Sequence, residues 1–390
     1  MKKEKEIISE IEKCIRQKDN VLTSIGLNNG ILSASMFYYY HYLMTKESES
    51  LELVTHYIEK SLSVLTEDYK SFHFNDELRE LGLYILFLKQ QGILDNDTDS
   101  LLESVDEILE EILIQKTEKG DLDLTSGFPS VAKYFVLRNL EDKKHLLYKT
   151  LDKVIELRKS NENGSFWMFD LRDTEEPYVE LGLGHGVTGV VNFLLFLYKN
   201  NIYNEESLKL IHEGLSFIWA CNENDSENIN LFPFNAFEDI YIDYHNLAYG
   251  EIGIGYTFYN AGTILNQKDY CDKGLQILLN TTKFKDADNS TILEPGLIYG
   301  SAGLSALYKN IYTMTEHDAF LEAKEYWHQH LLQYKNNENS SWAGFNAHYS
   351  KEYDSVHMAL GQGIAGIGIT LMSDMIKPNH DYISFYNYDL

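Results

Sequence analysis

The sequence predicts an all-α protein: an α/α toroid of about seven helical hairpins, formed as a single domain over residues 1–390. Three observations predict it. Only 5 of the 390 residues are proline, and proline breaks helices and punctuates β-rich folds. Apolar runs of helical length open repeatedly on Gly-x-x-Gly or Gly-x-x-Ser. Between these runs lie polar segments with apolar residues at i, i+3, i+4 and i+7, the spacing of one helix face. A buried inner helix therefore alternates with an amphipathic outer one.

The chain begins with a charged amphipathic helix, MKKEKEIISEIEKCIRQKDN, which lacks the apolar core of a secretory signal. Gly30-Ile-Leu-Ser33 then opens ASMFYYYHYLM. The next unit, SFHFNDELRELGLYILFLKQQG, has a clear helix counted from Asn75 and no small-residue pair. Gly127-Phe-Pro-Ser130 opens VAKYFVL, Gly186-Val-Thr-Gly189 opens VVNFLLFLY, and Gly250-Glu-Ile-Gly253 opens IGYTFYNAG. Gly300-Ser-Ala-Gly303 opens LSALYKNIY, and Gly363-Ile-Ala-Gly366 opens IGITLM. The amphipathic partners are 50–65, 99–115, 143–157, 205–221, 269–282 and 319–334. Starts at 30, 75, 127, 186, 250, 300 and 363 leave room for two helices and their loops in each interval.

Small residues three apart lie on one helix face and let a neighbour approach. A glycine start also leaves the positive end of the helix dipole open. Hairpins that turn the same way gather these starts at one end, where a site is expected. The connectors 160–180, 222–249 and 336–357 are long for loops and are expected to roof it.

A net charge of −27, from 60 acidic and 33 basic residues, argues against a nucleic-acid binder. It also disfavours anionic membranes and is compatible with a basic peptide, although a solvated acidic surface that aids solubility is the better explanation. Apolar stretches such as 187–198 are too short and interrupted to span a bilayer. Cys14, Cys221 and Cys271 form no C-x-x-C pair and no ligand spacing with histidine. A reducing, cytoplasmic compartment fits that usage.

Gly-Leu-Gly-His-Gly-Val-Thr-Gly at 182–189 resembles a repeat of the lanthionine synthetase C-like proteins, the lantibiotic cyclases. LTSGFPSVAKYFV (124–136), LAYGEIGIG (247–255), LIYGSAGLSALY (297–308) and LGQGIAGIGITLM (360–372) resemble further repeats in order, so the likeness covers nearly the whole chain. It implies a double-layered α/α barrel acting on a ribosomal precursor peptide whose serines and threonines have been dehydrated. In that family a cysteine thiol adds across the alkene to form a thioether. A zinc ion held by two cysteines and a histidine makes the thiolate.

This chain departs from the pattern at the metal. The family's ligand positions carry Ala248, Ile298 and Tyr299. Alanine and isoleucine cannot ligate, so no zinc is expected there and no cofactor is assigned. Asp243, His245 and Tyr249 would make a poor substitute set. The family arginine corresponds to about Tyr244.

Other positions persist. The resemblance makes His185 the acid/base histidine, Asp123 the family aspartate and Tyr249 the family tyrosine. Tyr299 occupies the matching place one repeat later, so both phenols are candidate proton donors. The plain alternatives are a loop cap for His185, a helix N-cap for Asp123, and packing for the tyrosines. Glu251 and Glu294 are candidates for acidity near the helix starts, and Trp167, Trp342 and Phe232-Pro-Phe234 are expected in the core or a lid.

Two functions follow from the resemblance. One is a zinc-independent cyclase acting on a precursor peptide, with a dehydratase as a possible partner. The other is a degenerate cyclase fold kept as a peptide-binding scaffold. An unrelated toroid glycosidase would need a carboxylate pair among the inner helix starts, and none is evident.

Overall fold

The computed structural model describes residues 2–95, 98–169, 178–222, 229–242, 245–285, 292–336, 341–376 and 382–389. Its helices fall where the periodicity puts them. After α1 (Lys2–Lys18) comes the pair α2 (Leu32–Thr45) with α3 (Ser48–Val64), followed by α4 (Phe74–Gln90) and α5 (Asp99–Lys119). Next are α6 (Phe128–Arg138) with α7 (Lys144–Leu157), and α8 (Val187–Lys199) with α9 (Glu205–Ala220). Then come α10 (Glu251–Ile264) with α11 (Lys268–Thr281), and α12 (Ser301–Thr315) with α13 (Asp318–Gln333). A short α14 (Asp354–Met358) precedes α15 (Ile364–Ser373).

Burial separates the two kinds of helix. Every residue from Val187 to Leu197 of α8 is buried, as are Leu32 to Tyr40 of α2. By contrast α5 buries Leu102, Val105, Leu109, Ile112 and Leu113, a single face at helical spacing. A departure from the all-α expectation is a small antiparallel pair, β1 (Lys159–Asn161) with β2 (Gly164–Phe166). No described helix is long and apolar enough to cross a membrane.

The chain divides into two compact units. The first comprises Met1–Asp95 and Ile292–Ile383. In it α1 packs on α15, and the Gly368 backbone lies against Phe37 and Ile11, so the last buried helix takes its amphipathic partner from the opposite end of the chain. Trp342 is buried in this unit, stacked on His357. The second comprises Asn96–Thr291 and Ser384–Leu390. Its Trp167 is fully buried and donates from Nε1 to the Val154 carbonyl.

The glycines that open the buried helices have a more local cause than the expected approach of neighbouring helices. A Cβ on Gly186 would stand 2.4 Å from the carbonyl oxygen of Glu180, six residues earlier. Gly30, Gly127 and Gly300 meet the carbonyls of Ser24, Asp121 and Glu294 at 2.4, 2.3 and 2.3 Å in the same way. Each loop closes on itself: the residue after the glycine donates its N–H to that same carbonyl, as Val187 does to Glu180 at 2.8 Å. The expected neighbour contact belongs to the second glycine of the pair. Gly253 lies against Leu183, where a Cβ would sit 2.4 Å from the leucine Cβ; a Cβ on Gly366 would face Leu297 at 3.2 Å but also its own loop's Leu360 carbonyl at 2.1 Å.

Candidate functional site

Two of these closed loops, before α6 and α8, meet the loop before α10 within the second unit; that third loop closes instead by Glu251 N–H donating to the His245 ring at 3.1 Å. Leu124 N–H donates to the Gly184 carbonyl at 3.2 Å, and a Cβ on Gly184 would lie 3.2 Å from the Ala248 carbonyl. His185 projects from the middle loop, Asp123 from the first and Tyr249 from the third.

Asp123 uses its two oxygens differently. Oδ1 accepts from the N–H groups of Thr125 and Ser126, both at 2.8 Å, and from the Thr125 hydroxyl at 2.6 Å. Oδ2 lies 2.5 Å from His185 Nδ1. The helix N-cap expected as the plain alternative does not form, since α6 is capped at Gly127 without a side-chain bond; Asp123 instead closes a turn onto Thr125 and Ser126 while it holds His185. A carboxylate only accepts, so Nδ1 carries the proton and Nε2 is the nitrogen left for chemistry. The His185 side chain remains 26% exposed.

The charges follow from this geometry. Burial pushes the Asp123 carboxyl up, but the His185 hydrogen bond and charge, with those from Thr125 and Ser126, outweigh it and hold the group at about 2. Burial pulls His185 down, yet the Asp123 hydrogen bond and the charges of Asp123 and Glu180 raise it above its usual value.

Tyr249 borders the pair, its ring centroid 5.9 Å from that of His185. Asn246 holds it there: Oδ1 accepts from Ala248 N–H and Tyr249 N–H, each at 2.9 Å. The chain's last residues brace the same loop from behind. The Tyr388 hydroxyl donates to the Leu247 carbonyl at 3.3 Å, and Lys133 of α6 pairs with Asp389 at 2.7 Å.

Tyr299 belongs to the first unit, where its ring meets that of Tyr349 edge-on at 5.6 Å. Glu251 and Glu294 are clamps. Glu251 Oε1 accepts from Leu231 and Phe232 N–H at 2.5 and 2.8 Å, fastening a connector to the start of α10. In the first unit Glu294 Oε2 does the same for His348 and Tyr349 N–H at 3.0 and 3.3 Å.

The donor set does not fit zinc. Ala248 and Ile298 offer no lone pair, and Ile298 packs its methyl end on Gly361. His245 is buried against Phe284 and accepts from Glu251 N–H at 3.1 Å, with burial pulling its pKa down to about 3. Asp243 and Tyr244 lie outside the described residues. No group of three or more His, Cys, Asp or Glu among the described residues is placed to hold a metal ion.

Sequence reasoning missed Glu180 and Tyr178. Glu180 is buried in the loop that carries His185, and the Tyr178 hydroxyl donates to its Oε2 at 3.3 Å. The available signal was positional: Glu180 stands six residues before Gly186, as Glu294 does before Gly300.

Comparison with known proteins adds the following. The family described as lanthionine synthetase C-like protein matches residues 22–388. The structure of a nisin cyclase is similar at a TM-score of 0.76 and 18% identity, covering 98% of each chain, which shows a shared fold. A sugar epimerase from a ruminal bacterium matches at a TM-score of 0.41 and 13% identity, over 88% of this chain and 86% of that one. Cellobiose 2-epimerase from Bacillus thermoamylovorans B4167 matches at 0.40 and 11%, over 95% and 100%. Scores that low carry no argument. No curated protein sequence matches the chain.

Proposed function

The chain belongs to the lanthionine synthetase C-like family, and from that premise we propose that it closes thioether rings in a dehydrated ribosomal peptide without zinc. The observation that supports this best is the Asp123–His185 pair, held at 2.5 Å with Nε2 left over.

In the proposed reaction Nε2 of neutral His185 takes the proton from a substrate cysteine thiol. The thiolate attacks Cβ of the dehydrated residue, forming the C–S bond, and the alkene electrons move onto Cα and the adjoining carbonyl. His185 then returns the proton to Cα. Atoms and charge balance without a cofactor. Asp123 fixes the tautomer and stabilises the transient imidazolium. A free thiol near pKa 8.5 is only a few per cent ionised at neutral pH, so a positioned base has room to accelerate the step, by about 10²–10⁴-fold for general acid–base catalysis. Tyr249 and Tyr299 are proposed as phenol donors to the substrate carbonyl, and Tyr249 has the firmer basis because it borders His185.

The peptide partner, a dehydratase that supplies the alkene, and a cytoplasmic setting that keeps thiols reduced are parts of the same proposal, as is one functional domain across residues 1–390. The loss of donors at 248, 298 and 299 favours a second reading, a peptide-binding scaffold without chemistry. Alkylating free thiols in a dehydrated, cysteine-containing peptide, followed by mass spectrometry, separates the two. Thiol loss with wild-type protein above the protein-free control, absent with His185→Ala, supports the cyclase. Thiols that persist while the peptide binds support the scaffold.

A further inference from the structure

The loop that presents His185 contains a second ionisable group with no assigned task. Glu180 is 2% exposed. Its backbone carbonyl closes the loop by accepting from Val187 N–H, and its flanks are fixed by Leu181 N–H to the Phe234 carbonyl at 3.1 Å and Ala236 N–H to the Val179 carbonyl at 2.8 Å. The carboxyl group folds back into this frame. Oε2 receives the Tyr178 hydroxyl, whereas Oε1 is buried with no partner among the described residues. It rests against Gly182 of the histidine loop, 2.8 Å from where a Cβ on that glycine would be.

A buried carboxyl oxygen without a donor costs free energy, and ionisation makes the cost larger. Such a group is kept where its charge acts on something. The charged and titratable groups facing it are His185 from the same loop, Asp123 from the loop before α6 and Tyr178 two residues earlier in its own segment, with Tyr249 of the loop before α10 close to Tyr178. The segment paired with its backbone contributes uncharged Asn235. Among these only His185 can carry a positive charge.

We propose that Glu180 is a positioning residue that sets the protonation of the Asp123–His185 pair: as a neutral acid it lets the imidazole lose its proton, and as a carboxylate it holds the imidazolium. This rests on the proposed acid–base role of His185. Because Oε1 is sealed from solvent, Glu180 acts through the histidine and does not touch substrate. Its balance point suits the task. Burial raises the carboxyl to about 7, against the lowering effect of His185 and the Tyr178 hydrogen bond. The cluster therefore changes charge around neutrality, and its apparent midpoints belong to the group as a whole.

Two variants and two readouts test this. Glu180→Gln keeps the shape and the oxygen facing Tyr178 but cannot ionise. Gly182→Ala displaces the carboxyl with a methyl group, while the residue struck is the movable end of a side chain. The His185 imidazole is titrated by NMR in ¹³C-histidine-labelled protein, assigned by its loss in His185→Gln. In both variants its midpoint is expected at lower pH than in wild type. With a dehydrated peptide, the acidic limb of kcat/KM moves the same way, raising the rate there about threefold. Superimposable titrations and pH profiles would overturn the proposal and leave Glu180 a loop-packing residue. The NMR titration needs no turnover, so an inactive wild-type protein defeats the cyclase reading without deciding this one.

Discussion

Asp123 and His185 are 62 residues apart in the chain, yet Oδ2 of one lies 2.5 Å from Nδ1 of the other. The contact exists because the loops before α6 and α8 close on themselves in the same way and are stitched together by the Leu124–Gly184 hydrogen bond. It fixes the tautomer of a mostly buried imidazole.

Asp123→Asn separates orientation of the histidine from closure of the loop turn. The amide oxygen can still accept from Thr125 and Ser126, so the turn is kept. The amide nitrogen then faces Nδ1 as a donor and drives the ring into the other tautomer, leaving Nε2 protonated. Ring formation should fall about a hundredfold or more, while the melting temperature changes little. Equal rates in variant and wild type would remove Asp123 from the mechanism.

Gly186→Ala should destabilise the protein by roughly 2–4 kcal/mol in urea denaturation. The added methyl meets a backbone carbonyl at 2.4 Å that is itself fixed by Val187 N–H. A loss below about 0.5 kcal/mol would show that the loop relaxes easily and that its closure is not what demands glycine.

Glu251→Gln should change how stability depends on pH. Burial lifts the Glu251 carboxyl from 4.5 to about 7, against the Phe232 and Leu231 N–H groups. The folded state thus favours its proton, and that contribution is complete below pH 4.5 and lost as pH rises through 7. Ionisation at alkaline pH costs roughly 3 kcal/mol. Glutamine keeps the acceptor for Leu231 and Phe232, so the variant should gain on wild type in thermal melts from pH 5 to pH 8.5. A difference that stays constant across that range would contradict a buried, reluctantly ionised Glu251.

Most of the hairpin architecture was legible because two signals coincide at most units: glycine at the start of a run that is apolar all round, and a one-faced partner after it. The helix without that glycine, α4, was still found from its apolar pattern. The reason for the glycines was not legible. Gly186 is dictated by Glu180 of its own loop, a contact that appears only once the chain has turned. The same blindness hid Glu180 as a chemical group, since an acid at the end of a polar connector looks like a solvated one until burial is known. Tyr249 and Tyr299 look equivalent in sequence, yet Tyr249 borders His185 whereas Tyr299 meets Tyr349. The β1–β2 pair escaped because three-residue strands leave no usable periodicity.

The most direct measurement is the rate of ring formation by metal-stripped protein held in chelator, wild type beside His185→Ala, on a dehydrated peptide with one cysteine. Catalysis above the protein-free rate that survives the chelator and vanishes in the variant is the predicted result. Catalysis abolished by chelator and restored by zinc would contradict the account, as would a His185→Ala variant that closes rings as fast as wild type.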